Sequence, residues 1–440
     1  MLQTIRNAWK IEELRGKMIF TLLILVIFRL GNAVPVPYVD TAALVGHFQR
    51  MEGTILGLFN TMSGGGLESA SLFALSIQPY ITSSIVMQLL CVAIPALERL
   101  QKEGGEDGKK LINKITRYGT VGLGLVMGFA YYLMLGNWDI LGEAAQGFWP
   151  GLVIVLSFTA GSALVMWLGE QITEFGIGNG ISIILFAGIV SRFPIAIMGM
   201  IQGVTAPAGA EHAIPWWLIV LVLLGALALL VLIVIIQNAE RKIPVQYAKR
   251  VVGRKMYGGQ STHLPIKLSM TGVLPIIFAQ ALASLPATIA MFAGVNPGEG
   301  TGVLAWIARV FDMTGVPYFV IYVLLIVAFS FFYAQIQFNP VEISNNLKKN
   351  GGYVPGFRPG KPTQDYINRV LGKITLFGAV YLAVVAGLPI LVSMFSVAAR
   401  QTGVALGGTS VIIAVGVALE TVKGLENQML MRHYKGFLDQ

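Results

Sequence analysis

The 440-residue chain is 55% hydrophobic and 12% charged, far below the roughly 25% charged residues of soluble domains, which excludes an ordinary water-soluble enzyme. Its net charge of +9 points to an anionic partner in the abstract, but the basic residues sit between apolar stretches, as in loops beside a membrane. One cysteine, Cys91, and four scattered histidines, His47, His212, His263 and His433, leave no intrachain disulfide and no local metal motif, so neither metal nor cofactor is expected.

A helix needs about 20 apolar residues to cross the hydrocarbon core. Stretches of that order run over 18–36, 72–97, 115–136, 148–168, 179–201, 214–237, 266–293, 316–338, 374–395 and 407–425. The first begins at Met18 and continues through Arg29 to Pro35 without a small-residue cleavage site, so it is expected to stay as a span and not to be removed as a signal peptide. The second, fifth and tenth carry Gly, Pro, Ser, Thr, Asn or Glu, which at membrane depth must face protein or water. Ten spans with an internal N-terminus place 26 of the 31 Lys and Arg residues on one side, the cytoplasmic one by the positive-inside rule. Arg50, Arg192, Arg309 and Arg400 fall to outer loops and Arg29 inside the first span. Both termini are then cytoplasmic. A Gly/Ala/Pro linker near residue 203 divides the chain into five spans and five, residues 1–202 and 203–440, and an odd number per half inverts one half relative to the other.

Between the first two spans, Ser63-Gly64-Gly65-Gly66 leads into a half-apolar piece too short to cross, and Pro79 is expected to interrupt the following helix. Such a piece is either a re-entrant element or an ordinary outer loop with a helix start. Ile77 and Ile81 share a helix face, as do Ile181 and Leu185. Aliphatic pairs of this kind could form a hydrophobic constriction, but taken alone they are more often plain core or lipid contact. Glu170 and Glu174 have no nucleophile or metal ligand beside them, and no phosphate-binding glycine motif occurs. Two cytoplasmic loops, 238–265 and 339–373, are longer than turns require and mix basic residues with Tyr247, Tyr257, Tyr353 and Phe357, as docking surfaces do.

Taken together, RLGNAVPVP (29–37), MSGGGLESASLFALSIQPYITSSI (62–85), TRYGT (116–120), WLGEQITEFGIGNGISIILFAGIV (167–190), YAKRVVGR (247–254), QSTHLPIKLSMTGVLPIIFA (260–279), FNPVEISNNLKKNGGYVPGFRPG (338–360) and GGTS (407–410) resemble the SecY family in collinear order over nearly the whole chain. The resemblance implies an all-α membrane protein: ten transmembrane helices in two inverted five-helix halves around a central pore, with a short re-entrant plug helix at about Asn60–Ser71. It marks Asn60, Ser63, Gly64, Gly65, Gly66 and Leu67 as plug, and Ile77, Ile81, Ile181, Leu185, Ile277 and Ile413 as pore ring, with Leu185 standing where isoleucine is expected. It sets a lateral gate between spans two and three and spans seven and eight, with Thr82, Gln88, Asn179 and Gln280 as a polar cluster at the seam. Arg250, Arg254, Lys255 and Arg358 would receive the motor ATPase SecA or the ribosome. The further partners implied are the small subunits SecE and SecG, signal peptides and translocating polypeptides, and anionic lipids, in a bacterial cytoplasmic membrane.

A ten-span transporter of a small solute could use the same layout, but an ion-coupled carrier would place several ionisable groups at the midplane. The spans here hold chiefly Arg29 and Glu420. An intramembrane enzyme would need a Ser/His, paired Asp or His-rich site that the spans lack. A passive, non-enzymatic conduit is the expectation.

Overall fold

The computed structural model describes residues 2–50, 55–138, 140–141, 147–205, 216–247, 250–252, 255–257, 261–268, 272–292, 302–312, 315–395 and 404–438. The first nine helices are α1 (Leu2–Trp9), α2 (Glu12–Asn32), α3 (Thr41–Arg50), α4 (Ile55–Ser63), α5 (Gln78–Ala93), α6 (Pro95–Glu103), α7 (Gly105–Asn137), α8 (Phe148–Phe175) and α9 (Gly180–Thr205). After them come α10 (Trp216–Asn238) and four strands, β1 (Glu240–Tyr247), β2 (Arg250–Val252), β3 (Lys255–Tyr257) and β4 (Ser261–Lys267). The chain then forms α11 (Leu274–Phe292), α12 (Val303–Val310), α13 (Val316–Gln337), α14 (Pro340–Lys349), β5 (Gly352–Tyr353), α15 (Lys361–Phe395) and α16 (Val404–Leu438).

Each of the ten apolar stretches carries a helix: α2, α5, α7, α8, α9, α10, α11, α13, α15 and α16. Among the described residues six helices are long and apolar enough to cross a bilayer, or seven if α5 and α6 form one bent span. α2 carries Arg15, Lys17 and Arg29, and α11 is a shorter apolar helix. The second stretch departs most from its sequence reading. Its helix starts at Gln78, with Pro79 in the first turn instead of interrupting it, because that position needs no N–H donor. It breaks at Ile94, whose extended backbone (φ −107°, ψ 112°) precedes Pro95, and the axis turns by 106°. A residue before proline is driven out of the helical region, and Pro95 opens α6.

The loops 238–265 and 339–373, read as irregular, contribute a small antiparallel sheet of order β4-β1-β5 and a β2-β3 hairpin. Ile243 and Val245 alternate inward along β1. Ile243 joins Ile266, Val354 and Ile374, with Tyr366 and Val370 of α15 packed on them, so both loops and the start of α15 share one core.

The main core joins α2, α4, α5, α8 and α9 to α10, α11, α13, α15 and α16. By contrast α10 is almost wholly exposed and apolar, a surface that needs lipid or a partner. Close packing depends on glycine at two points. A Cβ on Gly161 of α8 would lie 1.8 Å from the Leu72 carbonyl oxygen, and one on Gly180 would lie 1.9 Å from that of Gly169. Backbone cannot yield as a flexible side chain can. Gly161→Val is therefore expected to cost about 2–4 kcal/mol and to lower the thermal midpoint in detergent, while Gly122→Ala, with open space around it, is expected to leave the midpoint unchanged or raised.

Candidate functional site

The chain between α2 and α5 builds the centre of the molecule. α4 is apolar, and Leu58 and Met62 enter the main core beside residues from both sides of the linker. It ends at Ser63 because Gly64 and Gly65 take left-handed conformations (φ +74° and +90°) that glycine adopts without strain. Residues 64–77 then run as turns. The short helix expected at about Asn60–Ser71 thus lies earlier, and Leu67 and Gly66 belong to the turn segment behind it.

That irregular backbone is held by named partners. Val36 N donates to Ala70 O and Leu72 N to Val34 O, both at 2.9 Å. Asn32 Nδ2 donates to Ser63 O (2.7 Å), Arg29 Nη1 to Gly64 O (3.1 Å) and Tyr131 Oη to Leu67 O (2.7 Å). Ser63 Oγ donates to Asn60 O and accepts from Gly66 N, closing the helix end. Glu68 pairs with Arg192, an arginine that the sequence reading gave to an outer loop but that lies within α9. A narrow apolar cavity of about 20 Å³ remains between Met62, Leu67, Leu75, Ser76 and Leu185, room for about one water.

Ile77, Ile81, Leu185, Ile277 and Ile413 are buried in the main core and Ile181 packs against it. Ile77 is the residue that caps α5, Ile81 lies in the first turn of α5 and Ile277 in that of α11, Ile181 and Leu185 lie near the start of α9, and Ile413 lies in α16. Gly169 of α8 shows how near two of them come: a Cβ there would stand 3.4 Å from Ile77 and 3.6 Å from Ile181. All six are aliphatic and lie in or against the same main core, and contacts of this kind exclude water and ions yet part without breaking any hydrogen bond.

The four polar candidates are placed differently. Gln88 of α5 accepts a hydrogen bond from the Tyr333 hydroxyl of α13, directly across the seam, and its Nε2 donates to Ser84 Oγ (3.2 Å). Thr82 donates to its own helix at Gln78 O (3.1 Å). Asn179 caps α9, accepting from Ile181 N (3.1 Å) and Ser182 N (3.3 Å). Gln280 is buried with Oε1 unpartnered. Among the described residues no hydrogen bond joins these four to one another. Tyr333 was missed because a tyrosine in an apolar helix reads as wall, and only the pairing of helices reveals its hydroxyl's role. Glu170, set aside as a charged loop end, lies within α8 and pairs with Arg117 of α7 at 2.9 Å.

Of the docking candidates, Arg250 and Lys255 lie on the β2-β3 hairpin, Arg358 is exposed after β5, and Arg254 lies outside the described residues. Gln246 of β1 accepts a hydrogen bond from the Tyr353 hydroxyl (3.0 Å), and Phe357 stacks on Tyr366 with ring centroids 4.2 Å apart. The two loops thus form one surface.

The family model SecY matches residues 71–422. The chain is 44% identical to a protein translocase subunit SecY of Halalkalibacterium halodurans and 43% identical to that of Bacillus subtilis, each covering all of both chains. Among solved structures it resembles a protein conducting channel (TM-score 0.63, 17% identity, 94% of this chain and 93% of the other) and Sec61 in the canine ribosome-channel complex (TM-score 0.59, 16% identity, 94% and 93%).

The seam contact has a measurable signature. Tyr333→Phe leaves Gln88 Oε1 without its donor and is expected to cost about 1–3 kcal/mol, read as a lower thermal midpoint. Adding Gln88→Leu removes the orphaned group, so the double variant is expected to be more stable than the sum of the two singles. Strict additivity would show that the two side chains do not interact.

Proposed function

Since this chain belongs to the SecY family of protein translocases, we propose that it is the protein-conducting channel of a bacterial cytoplasmic membrane, passing unfolded secretory polypeptides across and releasing transmembrane segments sideways into lipid. The observation that carries the reading is the full-length likeness to translocase subunits, joined to the placing of six aliphatic side chains in or against the core that α4 also enters. The rival reading, a carrier for a small solute, finds no support in either.

In this reading Ile77, Ile81, Ile181, Leu185, Ile277 and Ile413 form the constriction. They grip a passing chain loosely because apolar contact has no directional demand. α4 and the segment through Ser71 act as the plug, filling the outer side of the path when no polypeptide is present. The seam between α5 and α7 on one side and α11 and α13 on the other is the lateral gate. Gln88 and Tyr333 are its polar clasp: a single hydrogen bond is weak enough to yield to an arriving apolar signal peptide.

The ten spans form two inverted halves, 1–202 and 203–440, with both termini cytoplasmic, as the distribution of Lys and Arg favours. The two cytoplasmic loops that carry Arg250, Arg254, Lys255 and Arg358 receive the motor ATPase SecA or the ribosome. Basic side chains there suit acidic protein or RNA, and a relative in a ribosome-channel complex is consistent with it. The exposed apolar helices meet lipid and the small subunits SecE and SecG, and anionic lipid headgroups meet the cytoplasmic basic residues. No catalytic role is assigned to any residue.

Depleting the protein in its host is expected to leave exported preproteins uncleaved in the cytoplasm within a few generations; unchanged export would overturn the reading. Ile81→Asn or Ile277→Asn places an amide in the apolar ring and is expected to raise ion leakage and admit preproteins with defective signal sequences. Conductance equal to the parent's in both variants would remove these residues from the constriction.

A further inference from the structure

We propose that Glu68 and Arg192 form a latch that sets how readily the turn segment leaves its seat, and therefore how strong a signal sequence must be to open the channel. The inference rests on the plug reading above and adds to it the residues that hold the plug shut.

Both carboxylate oxygens of Glu68 face the guanidinium, with Arg192 Nη2 at 3.1 Å from Oε2 and Nη1 on Oε1. The two side chains are only 24% and 17% exposed, so this pair is better shielded from water than an ordinary surface ion pair. Asn60 fixes the carboxylate further: its Nδ2 donates to Glu68 Oε2 (2.8 Å) and its Oδ1 accepts from Glu68 N (3.1 Å). The acid is therefore held by the plug's own helix end and presented to α9.

The same stretch of α9 holds the start of the segment. Ser191 accepts from Arg29 Nη1 (2.9 Å), and that nitrogen also donates to Gly64 O. Close backbone approach makes the clamp rigid, since a Cβ on Gly188 would lie 2.3 Å from Met62 O. α9 thus carries two tethers of different strength. Among the described residues Arg29 reaches only neutral oxygens, whereas Arg192 meets a full negative charge. Leu185 lies seven residues before Arg192, two turns away on the same face. A chain that pushes α9 aside at the constriction therefore pulls on the ion pair. Separating the two charges before water reaches them opposes that movement.

The test uses the full translocase in its host membrane and compares Glu68→Gln, Arg192→Gln and the swap Glu68→Arg with Arg192→Glu. The readouts are export of a preprotein with a charged residue in its signal core, and ion leakage. Each single variant is expected to raise export of the defective preprotein about tenfold, and the swap to return it to within about twofold of the parent. A role in folding alone predicts poor accumulation and no rescue by the swap. Singles at the parent's level, or a swap no closer to the parent than the singles, would overturn the latch. Ile81→Asn, run alongside, separates the two ideas: if it leaks and admits the defective preprotein while the singles do not, the latch alone fails, and if it too is silent, the constriction assigned to Ile81 fails with it. Should the singles not accumulate, Glu68→Cys with Arg192→Cys serves instead. Oxidation is expected to arrest export and reduction to restore it, and undiminished export by the crosslinked pair would overturn the proposal.

Discussion

Residues 64–77 place irregular backbone in the interior of a protein made for lipid, and every peptide group there must find a partner without help from bulk solvent. Much of the surrounding structure is arranged around that requirement. Val34 and Val36 act as a short strand for Ala70 and Leu72, and Asn32, Arg29 and Tyr131 each spend a side chain on a backbone carbonyl. Gly161 keeps α8 close enough to pack on Leu72. The segment is thus seated by bonds from α2, α7 and α9 rather than by its own secondary structure. Such bonds can be exchanged for others, whereas a helix buried by its apolar face would have to expose that face to move.

The two kinds of contact at the centre differ in the same way. The aliphatic cluster has no directional bonds, so its members can separate and close again with nothing left unpaired. The seam relies on a directional one, Tyr333 to Gln88. Gln280 of α11 keeps a buried oxygen with no donor among the described residues, an expense that a fully satisfied core would avoid.

Hydropathy located a helix in every one of the ten stretches, because continuous apolar runs admit little else in lipid. It did not set their ends. The run through 72–77 is apolar but non-helical, since its groups are satisfied by tertiary partners, and the break at Ile94 follows from Pro95, a signal present in the sequence but subordinate to hydropathy. The six positions proposed as the ring rest on family motifs and not on periodicity, because an aliphatic pair four apart describes any helix. Glu68 and Arg192 are 124 positions apart, and no local pattern joins them. The strands were hidden by composition: alternation of Ile243 and Val245 with polar residues is a period of two, but neighbouring lysines and arginines made the stretch read as a basic docking loop.

The pairing of β1 with β5 has a consequence of parity. Gln246 and Tyr353 are 107 positions apart and share a hydrogen bond, so they occupy the same aqueous compartment. Any path between them must then traverse the bilayer an even number of times. α13 is long and apolar enough for one traverse, so the second falls to the shorter apolar α11, since α12, with 8 residues, is too short to supply it. The sheet is therefore an internal check on how the chain was threaded. If either helix failed to insert, β5 would emerge on the wrong face and β1 would keep an unpaired edge.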